Sequence, residues 1–514
     1  MIIDGATVNR DCNVRTQVCV IGSGAGGAVV AKELAEAGIE VCLLEEGAYR
    51  RGADFTGHPR AMIDLLYRNR GLTGTVGRLT IPIPLGKCVG GTTTINSGSC
   101  YRAPDYVLES WHREHGVADV LEAQMRPYFE RVENELNVRP VPDETYGNNS
   151  RLLERGAAAL GFAGARIPRN EKGCIGTGVC VFGCPQDAKQ AMHVSYVPKA
   201  VSAGATLYTR CRADRILSSS GTAFGVLGAF VDANDRDTGR QLRVLADRIV
   251  VCAGALLTPA LLERSGVTDA SGWRGRNLHI HPATRVSALF EQQVRGWEEV
   301  PQAYNIHEFT GEGIFIQGQF VPPSMEAAVL PGIGAAHKSL MSRYPHLASC
   351  GALISDVSPG RVRARRGGGS PRSGWPHSGW PLVTYRMVPE DVSKLTRAIS
   401  LTAQIFFAAG AQAVFSGIAP RAVLRSAAEA RALLSERFKS TDFEMMAFHP
   451  QGTCRMGEDP THAVTDSYGV HHGMRNLVVA DASLFPSSSR VNPQVTIMAL
   501  ATRAAARLAD ELRR

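Results

Sequence analysis

A glycine-rich turn near the start of the chain constrains its fold more than any other sequence feature. Gly22, Gly24 and Gly27 form the pattern G-x-G-x-x-G directly after the apolar run 18–21. Small residues after this pattern predict a helix, and a second apolar run ends at Leu44. A strand, a glycine turn, a helix and a second strand in this order predict a βαβ unit with parallel strands. We therefore expect an α/β fold.

The spacing of the three glycines also predicts a ligand. Gly22 permits a tight turn, Gly24 lets the backbone approach a pyrophosphate, and Gly27 lets the helix pack closely on the sheet. The free N–H groups at the start of the helix face the phosphate charge. Glu45 ends the second strand, 23 residues after Gly22, where a carboxylate can hold ribose hydroxyls. The βαβ unit predicts a dinucleotide cofactor, but it does not show whether that cofactor is NAD or FAD.

The length of the chain predicts more than one domain, because 514 residues exceed the size of about 250–300 at which a single core stops growing. Segments typical of a dinucleotide-binding domain occur at the start, middle and end. Alternating segments such as GIFIQGQFV predict an antiparallel sheet in a second, α+β domain that includes a Cys-rich loop. We assign the cofactor domain to 1–105, 195–283 and 441–514, the second domain to 106–194 and 284–440, and the Cys-rich loop to 171–190.

Charge and hydropathy argue against two classes of partner. The net charge is +8, but the basic clusters at 361–366 and 513–514 have no interleaved aromatic residues and no nucleic-acid-binding motif beside them. The most apolar stretch, 399–415, is interrupted by polar residues and predicts a buried helix rather than a membrane span of about 20 residues. The N-terminal residues contain no apolar segment of signal-peptide length. We expect a cytoplasmic protein with no membrane span and no nucleic-acid partner.

Three further blocks, together with the βαβ unit, resemble the glucose–methanol–choline (GMC) oxidoreductase family. GKCVGGTTTIN, at 86–96, is similar to the segment that lies over the flavin in that family. The other two blocks are CAGALLTPALLERSGV with GRNLHIHP, and FHPQGTCRMG with VVADASLFP and VNPQVTIMAL. The blocks run in family order, and finer features look most like the long-chain alcohol oxidase and cholesterol oxidase branches. The resemblance implies FAD, a Rossmann-like FAD-binding domain, a substrate domain on an antiparallel sheet, and a buried pocket over the isoalloxazine.

The resemblance also implies which residues contact FAD. Asn96 corresponds to a position at the flavin edge, and Asp481 to an acidic residue near the ribityl chain and phosphates. Ile95 stands where some members carry a histidine joined covalently to FAD, so non-covalent FAD is expected. The other cofactor-binding positions that the matched segments imply are Gly86, Gly90, Gly91, Thr92, Ala253, Gly254, Ala482, Asn492 and Pro493.

The matched segments also carry a candidate catalytic pair. His449 and Asn492 match the family's His–Asn pair, although some members have a second histidine in place of the asparagine. A histidine with a pKa near neutrality can take the hydroxyl proton of an alcohol, and an asparagine N–H can bind the developing alkoxide. No catalytic motif of the family includes the other histidines. We interpret His279 and His281 as part of a turn near the cofactor domain, and 471–472 as surface residues.

Three cysteines in the predicted loop leave alternatives open. Cys174, Cys180 and Cys184 have the spacing C-x5-C-x3-C-P, which fits a ferredoxin-type run with Thr177 at the second cysteine position. The spacing resembles the three-iron site of iron–sulfur sugar dehydrogenases of the family, which predicts a 3Fe-4S cluster. A structural loop, as in the long-chain alcohol oxidase branch, is the alternative. Zinc is a third interpretation, with His193 in a predicted strand as fourth ligand.

The sequence therefore predicts an FAD-dependent oxidoreductase that takes a hydride from a CH–OH group. A cluster would favour a dehydrogenase with an electron-acceptor protein, whereas its absence would favour reaction with O₂. We expect a primary or secondary alcohol on a bulky, fairly apolar molecule, with a sugar as the alternative; Trp375 and Trp380 in the insert 363–381 either cover the substrate or are exposed. Competing functions are a flavin-dependent desaturase or cyclase, a lyase, and a flavin electron-transfer partner without its own substrate.

Overall fold

A computed structural model describes residues 1–365 and 381–514, so Trp375 and Trp380 lie outside the described residues. The strands are β1 Ile2–Asp4, β2 Cys12–Ile21, β3 Val41–Leu44, β4 Val138–Pro140, β5 Gly164–Arg166, β6 Pro168–Asn170, β7 Thr206–Thr209, β8 Cys211–Ser219, β9 Thr222–Val231, β10 Asp237–Val251, β11 Pro282–Leu289, β12 Tyr304–Ile306, β13 Ile314–Gly318, β14 Leu347–Ile354, β15 Gly360–Ala364, β16 Pro381–Tyr385, β17 Ala413–Phe415, β18 Val423–Leu424, β19 Met446–Ala447 and β20 Leu477–Val479.

The α-helices connect and cover these strands. They are α1 Gly27–Glu36, α2 Pro59–Leu66, α3 Thr92–Ile95, α4 Asp105–His115, α5 Glu122–Glu135, α6 Asn148–Ala159, α7 Tyr196–Ser202, α8 Leu257–Arg264, α9 Pro323–Glu326, α10 Gly334–Ser342, α11 Pro389–Ala408, α12 Ala427–Ala432 and α13 Gln494–Arg513. Within the described ranges, no helix is both long enough and apolar enough to cross a membrane.

The first sheet contains the predicted βαβ unit. Its strand order is β1-β7-β3-β2-β10-β9-β8, with β20 paired to β10. Strands β1, β7, β3, β2, β10 and β20 run parallel, whereas β9 and β8 are antiparallel additions. The buried residues of β2 and β3 pack against α1 and α13 in one hydrophobic core. The predicted α/β fold is confirmed, and β2 is longer than the apolar run that indicated it.

The parallel arrangement brings distant parts of the chain to one edge of the sheet. In the sheet register, Ile21 at the end of β2 pairs with Val251 of β10, which in turn pairs with Val479 of β20. Leu44 ends β3 beside Ile21. Ligands of open α/β sheets bind at the carboxyl ends of the strands. The residues that follow these strands are therefore placed together although they are hundreds of positions apart in sequence.

The second sheet is antiparallel, as the alternating pattern predicted. Its order is β18-β17-β11-β14-β13-β12-β5, with β19 paired to β11. One face packs on α6 and α11 in a second hydrophobic core, to which Val286, Ile316 and Ala352 contribute. Since successive side chains of a strand point to opposite faces, the neighbouring residues of these strands face away from that core and toward the first sheet.

Some segments pack differently from the predicted division of the chain. Helices α4 and α5, which we assigned to the second domain, bury Trp111 and Phe129 in the core of the first sheet. Strand β19, which we assigned to the cofactor domain, pairs with β11 of the second sheet. Both placements arise because these helices and this strand are apolar on one face. An apolar face is buried against the sheet that lies beside it in space. The remaining domain boundaries stay a prediction.

Candidate active site

A cavity of about 2310 Å³ lies between the carboxyl ends of the first sheet and the open face of the second. Ligand pockets usually measure about 300–1,000 Å³, so this cavity has room for a large cofactor and a substrate together. Most of the predicted cofactor-binding residues line it, namely Gly22, Gly24, Glu45, Gly86, Gly91, Thr92, Asn96, Ala253, Gly254, Asp481, Ala482, Asn492 and Pro493. Gly27 and Gly90 are not part of the lining.

The glycine turn has the geometry that a bound pyrophosphate requires. Gly22 has φ of 98°, and a Cβ there would lie 2.4 Å from the carbonyl oxygen of Cys252. A Cβ on Gly27 would lie 1.8 Å from the carbonyl oxygen of Gly22, so this glycine serves close packing of α1 rather than the cavity. A Cβ on Gly24 would meet no protein atom within 4 Å. Gly24 therefore faces open space beside the N-terminus of α1.

Glu45 closes one side of this turn. Its carboxylate accepts hydrogen bonds from the Ser23 N–H at 3.0 Å, the Ser23 hydroxyl at 2.6 Å and the Gly47 N–H at 2.8 Å. Burial raises the pKa of Glu45, and the hydrogen bonds oppose that rise. Because each carboxylate oxygen has two lone pairs, Glu45 can still accept a ribose hydroxyl from the cavity.

Asp481 follows β20 and joins it to the loop after β10. Its Oδ2 accepts from the Gly254 N–H at 2.8 Å and the Thr258 hydroxyl at 2.5 Å, and its Oδ1 accepts from the Ser483 N–H at 2.8 Å. Burial raises the pKa of Asp481 against the effect of these donors. The carboxylate thus fixes two backbone loops on the wall of the cavity.

The segment 86–96 contains the single helical turn α3. The Gly90 N–H donates to the Ser23 hydroxyl at 3.1 Å, which ties this segment to the glycine turn. The Asn96 amide donates to the Gln494 side chain at 2.6 Å. Gly91 has φ of 54° and approaches the backbone of Gly24. The segment therefore covers the same cavity that Gly24 opens onto, and together these features fit a bound FAD.

His449 and Asn492 lie together on the cavity wall. His449 Nε2 is 3.4 Å from Asn492 Nδ2, and the Asn492 Oδ1 accepts from Gln317 Nε2 at 2.9 Å. His449 opens onto the cavity but is otherwise surrounded by protein, and this desolvation lowers its pKa to about 4. This pKa lies below the near-neutral value typical of a histidine base, because the surroundings of His449 provide little to stabilise its charge. At neutral pH the ring is uncharged and can accept a proton.

His281 is a neighbour of His449 that the sequence interpretation missed. His279 pairs with Gln451 in an antiparallel bridge, so two residues further along this pairing His281 lies opposite His449. Their Nδ1 atoms are 3.2 Å apart, and the rings meet edge to face. The sequence signal was the pair of motifs HIHP and FHPQ, which become informative only once their antiparallel pairing is known.

The second sheet supplies the wall opposite the glycine turn. Arg285, Gln317, Gln319 and Leu353 project from its open face into the cavity, and Gln302 lies beside them. Arg285 pairs with the buried Glu326 at 3.0 Å, so its charge is compensated. Amide and apolar groups are mixed on this wall, which can contact both the polar and the apolar parts of a substrate.

The structure does not assemble the three cysteines into a metal site. Across residues 1–365 and 381–514, no three His, Cys, Asp or Glu side chains are arranged to hold a metal ion. The sulfur of Cys174 accepts from the Gly176 N–H at 3.5 Å, that of Cys180 lies 3.4 Å from the Arg169 guanidinium, and that of Cys184 accepts from the Lys189 N–H at 3.5 Å. The three cysteines therefore do not form a group that could hold a metal ion, and the predicted 3Fe-4S cluster and zinc site are not supported.

Instead, the Cys-rich loop forms part of the cavity wall. Phe182 lines the cavity and packs with Ile95 of α3 in a small hydrophobic cluster. The buried Lys189 ammonium donates to the carbonyls of Thr94 at 2.9 Å, Asn96 at 2.6 Å and Cys180 at 2.7 Å. Lys189 thus joins the loop to the segment over the flavin site.

Purified protein tests the loop directly. We expect protein purified without oxygen to show flavin absorption and to contain no stoichiometric iron or sulfide. A Cys184→Ala variant should retain the same flavin content, because Cys184 contacts the main chain rather than a cluster. About three irons per chain, lost in this variant, would instead restore the cluster interpretation.

Two other histidines lie in surroundings different from those expected. His193 is in a turn before α7 rather than in a strand, and its ring is 3.2 Å from the Thr94 hydroxyl. His471 is buried rather than at the surface, and burial lowers its pKa to about 4. Only its neighbour His472 is exposed.

An open parallel sheet that ends in a phosphate-binding glycine turn, beside a pocket with an uncharged histidine, defines the class of oxidoreductases that hold a dinucleotide cofactor. The sequence matches the family model described as GMC oxidoreductase at residues 63–283 and 376–501, and an FAD binding domain at 15–106. The chain belongs to the GMC oxidoreductase family of FAD-binding oxidoreductases, and most of the residues predicted to hold FAD line its cavity. The family resemblance, the fold and the choice of FAD are confirmed.

Known proteins agree with this assignment. A GMC-type oxidoreductase of Mycobacterium tuberculosis, itself uncharacterised, is 39% identical over 95% of this chain and 75% of its own length. A long-chain-alcohol oxidase of Arabidopsis thaliana is 26% identical over 99% of the chain and 69% of its own length. The crystal structure of a pyridoxine 4-oxidase superposes with a TM-score of 0.70 at 21% identity, over 96% of this chain and 99% of that one. The last similarity is one of fold.

Proposed function

We propose that the protein oxidises an alcohol to an aldehyde or ketone, with His449 as base and Asn492 orienting the substrate oxygen. The observation that supports this most directly is the placement of His449 Nε2 and Asn492 Nδ2 3.4 Å apart on the cavity wall. Similarity to a long-chain-alcohol oxidase favours a CH–OH donor. The free state of all twelve cysteines supports the reducing, cytoplasmic location that we also propose.

The pair has complementary chemistry. The unprotonated Nε2 of His449 takes the hydroxyl proton, while the Asn492 N–H donates to the substrate oxygen as negative charge develops on it. Gln317 holds the Asn492 side chain in place from the opposite side. FAD, when bound, supplies the acceptor for the hydride that leaves carbon. Ile95, at the position of the covalent histidine, has no group that could bond to FAD, which supports a non-covalent cofactor.

Anaerobic bleaching of the flavin tests the proposed function. The FAD-loaded protein would be mixed without oxygen with 1-octanol, benzyl alcohol, choline, pyridoxine and glucose in turn. Loss of the oxidised flavin band with one of them, and recovery of the matching carbonyl compound, is expected. If none of these or related alcohols reduces the flavin, whereas a saturated acyl or cyclic precursor does, the protein is a desaturase or cyclase. Admitting oxygen then separates an oxidase, which forms peroxide, from a dehydrogenase that needs an acceptor protein.

Asn492→Ala should retain FAD and slow flavin reduction by about 10²-fold, the usual effect of removing one donor to a developing oxyanion. The variant removes the N–H that holds the substrate oxygen and leaves His449 in place. The reductive half-reaction in a stopped-flow instrument measures the loss. Asn13→Ala, at an exposed position of β2, is the matched control and should react at the wild-type rate. Equal rates in both variants would remove Asn492 from the reaction.

The pH dependence of flavin reduction should follow His449. Because burial lowers its pKa to about 4, the ring is unprotonated at neutral pH and becomes protonated only as the pH falls toward 4. The value of kcat/KM should therefore stay level from pH 7 to about 5 and decrease below that, as measured after rapid pH jumps. The depressed pKa also means that the contribution of His449 to stability is lost as the pH falls through 4, which is why jumps are needed. A decrease centred near 6.5 would contradict the assignment.

A further inference from the structure

His281 is held rigidly next to the proposed base. Its backbone N–H donates to Asp356 at 3.1 Å, and the Tyr385 hydroxyl donates to the same carboxylate at 2.8 Å. The residue has φ of 50°, an uncommon left-handed conformation for a side chain of this size. Its ring is buried. A residue fixed in this way can hold a neighbouring ring in one orientation.

A row of hydrogen-bonding groups connects the second sheet to His281. Gln317 Nε2 donates to Asn492 Oδ1 at 2.9 Å, and Asn492 Nδ2 lies 3.4 Å from His449 Nε2. On the far side of the ring, His449 Nδ1 is 3.2 Å from His281 Nδ1. The row ends where His281 Nε2 lies 2.6 Å from the Ser488 hydroxyl oxygen. Along this row, each group can donate a hydrogen bond to the next one.

The direction of this row determines the tautomer of His449. An amide nitrogen is only a donor, so His449 Nε2 must present a lone pair to Asn492. The proton of the neutral ring is then on Nδ1 and is donated to Nδ1 of His281, whose own proton is on Nε2 and is donated to Ser488. Gln451 Nε2 also lies 3.1 Å from His281 Nε2. One of its two N–H groups donates to the His449 carbonyl at 3.1 Å, and the Ser488 oxygen, at 2.6 Å, is the nearer partner of His281 Nε2.

We infer that His281 is a positioning residue that sets the tautomer of His449 by accepting a hydrogen bond from its Nδ1–H, which keeps Nε2 unprotonated and able to take the proton of the substrate. This inference rests on the proposed role of His449 as base. When Nε2 gains that proton, the Nδ1–H to His281 bond stabilises the resulting cation in a buried place that otherwise disfavours it. The titratable side chains facing His281 are His449 and His279, while Asp356 binds its backbone N–H.

Two substitutions separate this role from simple packing. His281→Ala removes the acceptor, and anaerobic flavin reduction should slow by about 10-fold or more, as when the group that orients a catalytic histidine is changed. His281→Asn keeps an acceptor oxygen near the position of Nδ1, and asparagine tolerates the left-handed backbone, so it should restore most of the rate. Both would be assayed as FAD-loaded protein with the alcohol of the panel above that bleaches the flavin fastest, and their FAD content reports whether they fold.

A second readout does not depend on turnover. In FAD-loaded protein labelled with ¹⁵N-histidine and kept free of alcohol, His449 should carry its proton on Nδ1 in the wild type and in His281→Asn. It should shift toward the Nε2–H tautomer in His281→Ala. An unchanged tautomer together with an unchanged reduction rate in His281→Ala would overturn the inference. If His449→Ala itself reacted at the wild-type rate, the proposed function would fail, and the tautomer measurement would still decide the role of His281.

Discussion

Replacing His449 with alanine is expected to leave FAD bound and to slow reduction of the flavin by alcohol about 10²- to 10⁴-fold, the range for loss of a positioned base. His449 lines the cavity next to Asn492. The alanine variant has no group to take the hydroxyl proton, so the proton must leave to water. Stopped-flow measurement without oxygen isolates this step from any later reaction with an electron acceptor.

His462→Ala is the matched control for this substitution. His462 lies at the surface, where its side chain pairs with Asp459, and it does not line the cavity. Its loss should leave flavin reduction unchanged. If His449→Ala retained the control rate across the alcohol panel, the proposed base would be wrong, and a reaction without proton abstraction at this position would need another explanation.

Enlarging Gly24 should have the second large effect, on the cofactor rather than on the reaction. A Cβ at Gly24 meets no protein atom within 4 Å, so Gly24→Val should fold. The valine side chain would project into the space beside the start of α1, where a pyrophosphate would accept hydrogen bonds from backbone N–H groups. Losing one or two hydrogen bonds to a charged group corresponds to about a 10- to 100-fold weaker affinity. Titration of the FAD-free protein with FAD, followed by flavin fluorescence, measures this loss.

Two further glycine variants distinguish loss of FAD from loss of the fold. Gly311→Val introduces the same side chain where a Cβ also meets nothing within 4 Å, but away from the cavity, and should bind FAD normally. Gly27→Ala places a Cβ 1.8 Å from the Gly22 carbonyl and should reduce stability as well as FAD content. Wild-type FAD affinity in Gly24→Val would show that the cofactor does not approach this turn.

The sequence predicted those parts of the site that depend on local pattern. Gly22, Gly24 and Gly27 predict the turn directly. Only glycine allows the backbone to approach a pyrophosphate and the helix to pack closely on the sheet at this spacing. Glu45 could be placed because it directly follows the second apolar run, 23 residues after Gly22, near the spacing typical of a ribose-binding carboxylate. The family resemblance then supplied FAD and the pairing of His449 with Asn492, which no local pattern could connect across the intervening residues.

The remaining features depend on tertiary contacts. His281 reaches His449 only through the bridge between His279 and Gln451, and sequence spacing carries no information about such a pairing. The pKa of His449 depends on how completely surrounding segments exclude water, which composition does not reveal. The spacing of Cys174, Cys180 and Cys184 permits convergence on a cluster, but it does not reveal where the folded loop places each sulfur, and in the structure each sulfur has a different hydrogen-bond partner.

The pairing of β20 with β10 in the first sheet has a consequence for synthesis of the protein. This strand, residues 477–479, pairs with β10, and a Cβ on Gly26 would lie only 1.7 Å from the carbonyl oxygen of Ala480 just after it. The glycine turn is therefore completed by residues 454 positions further along the chain than Gly26. At about 5–20 residues per second, a ribosome needs about 20–90 s to make the residues between them. The wall that Ala480 contributes to the cofactor cradle is missing during that time, so the complete cradle can form only after β20 has been made.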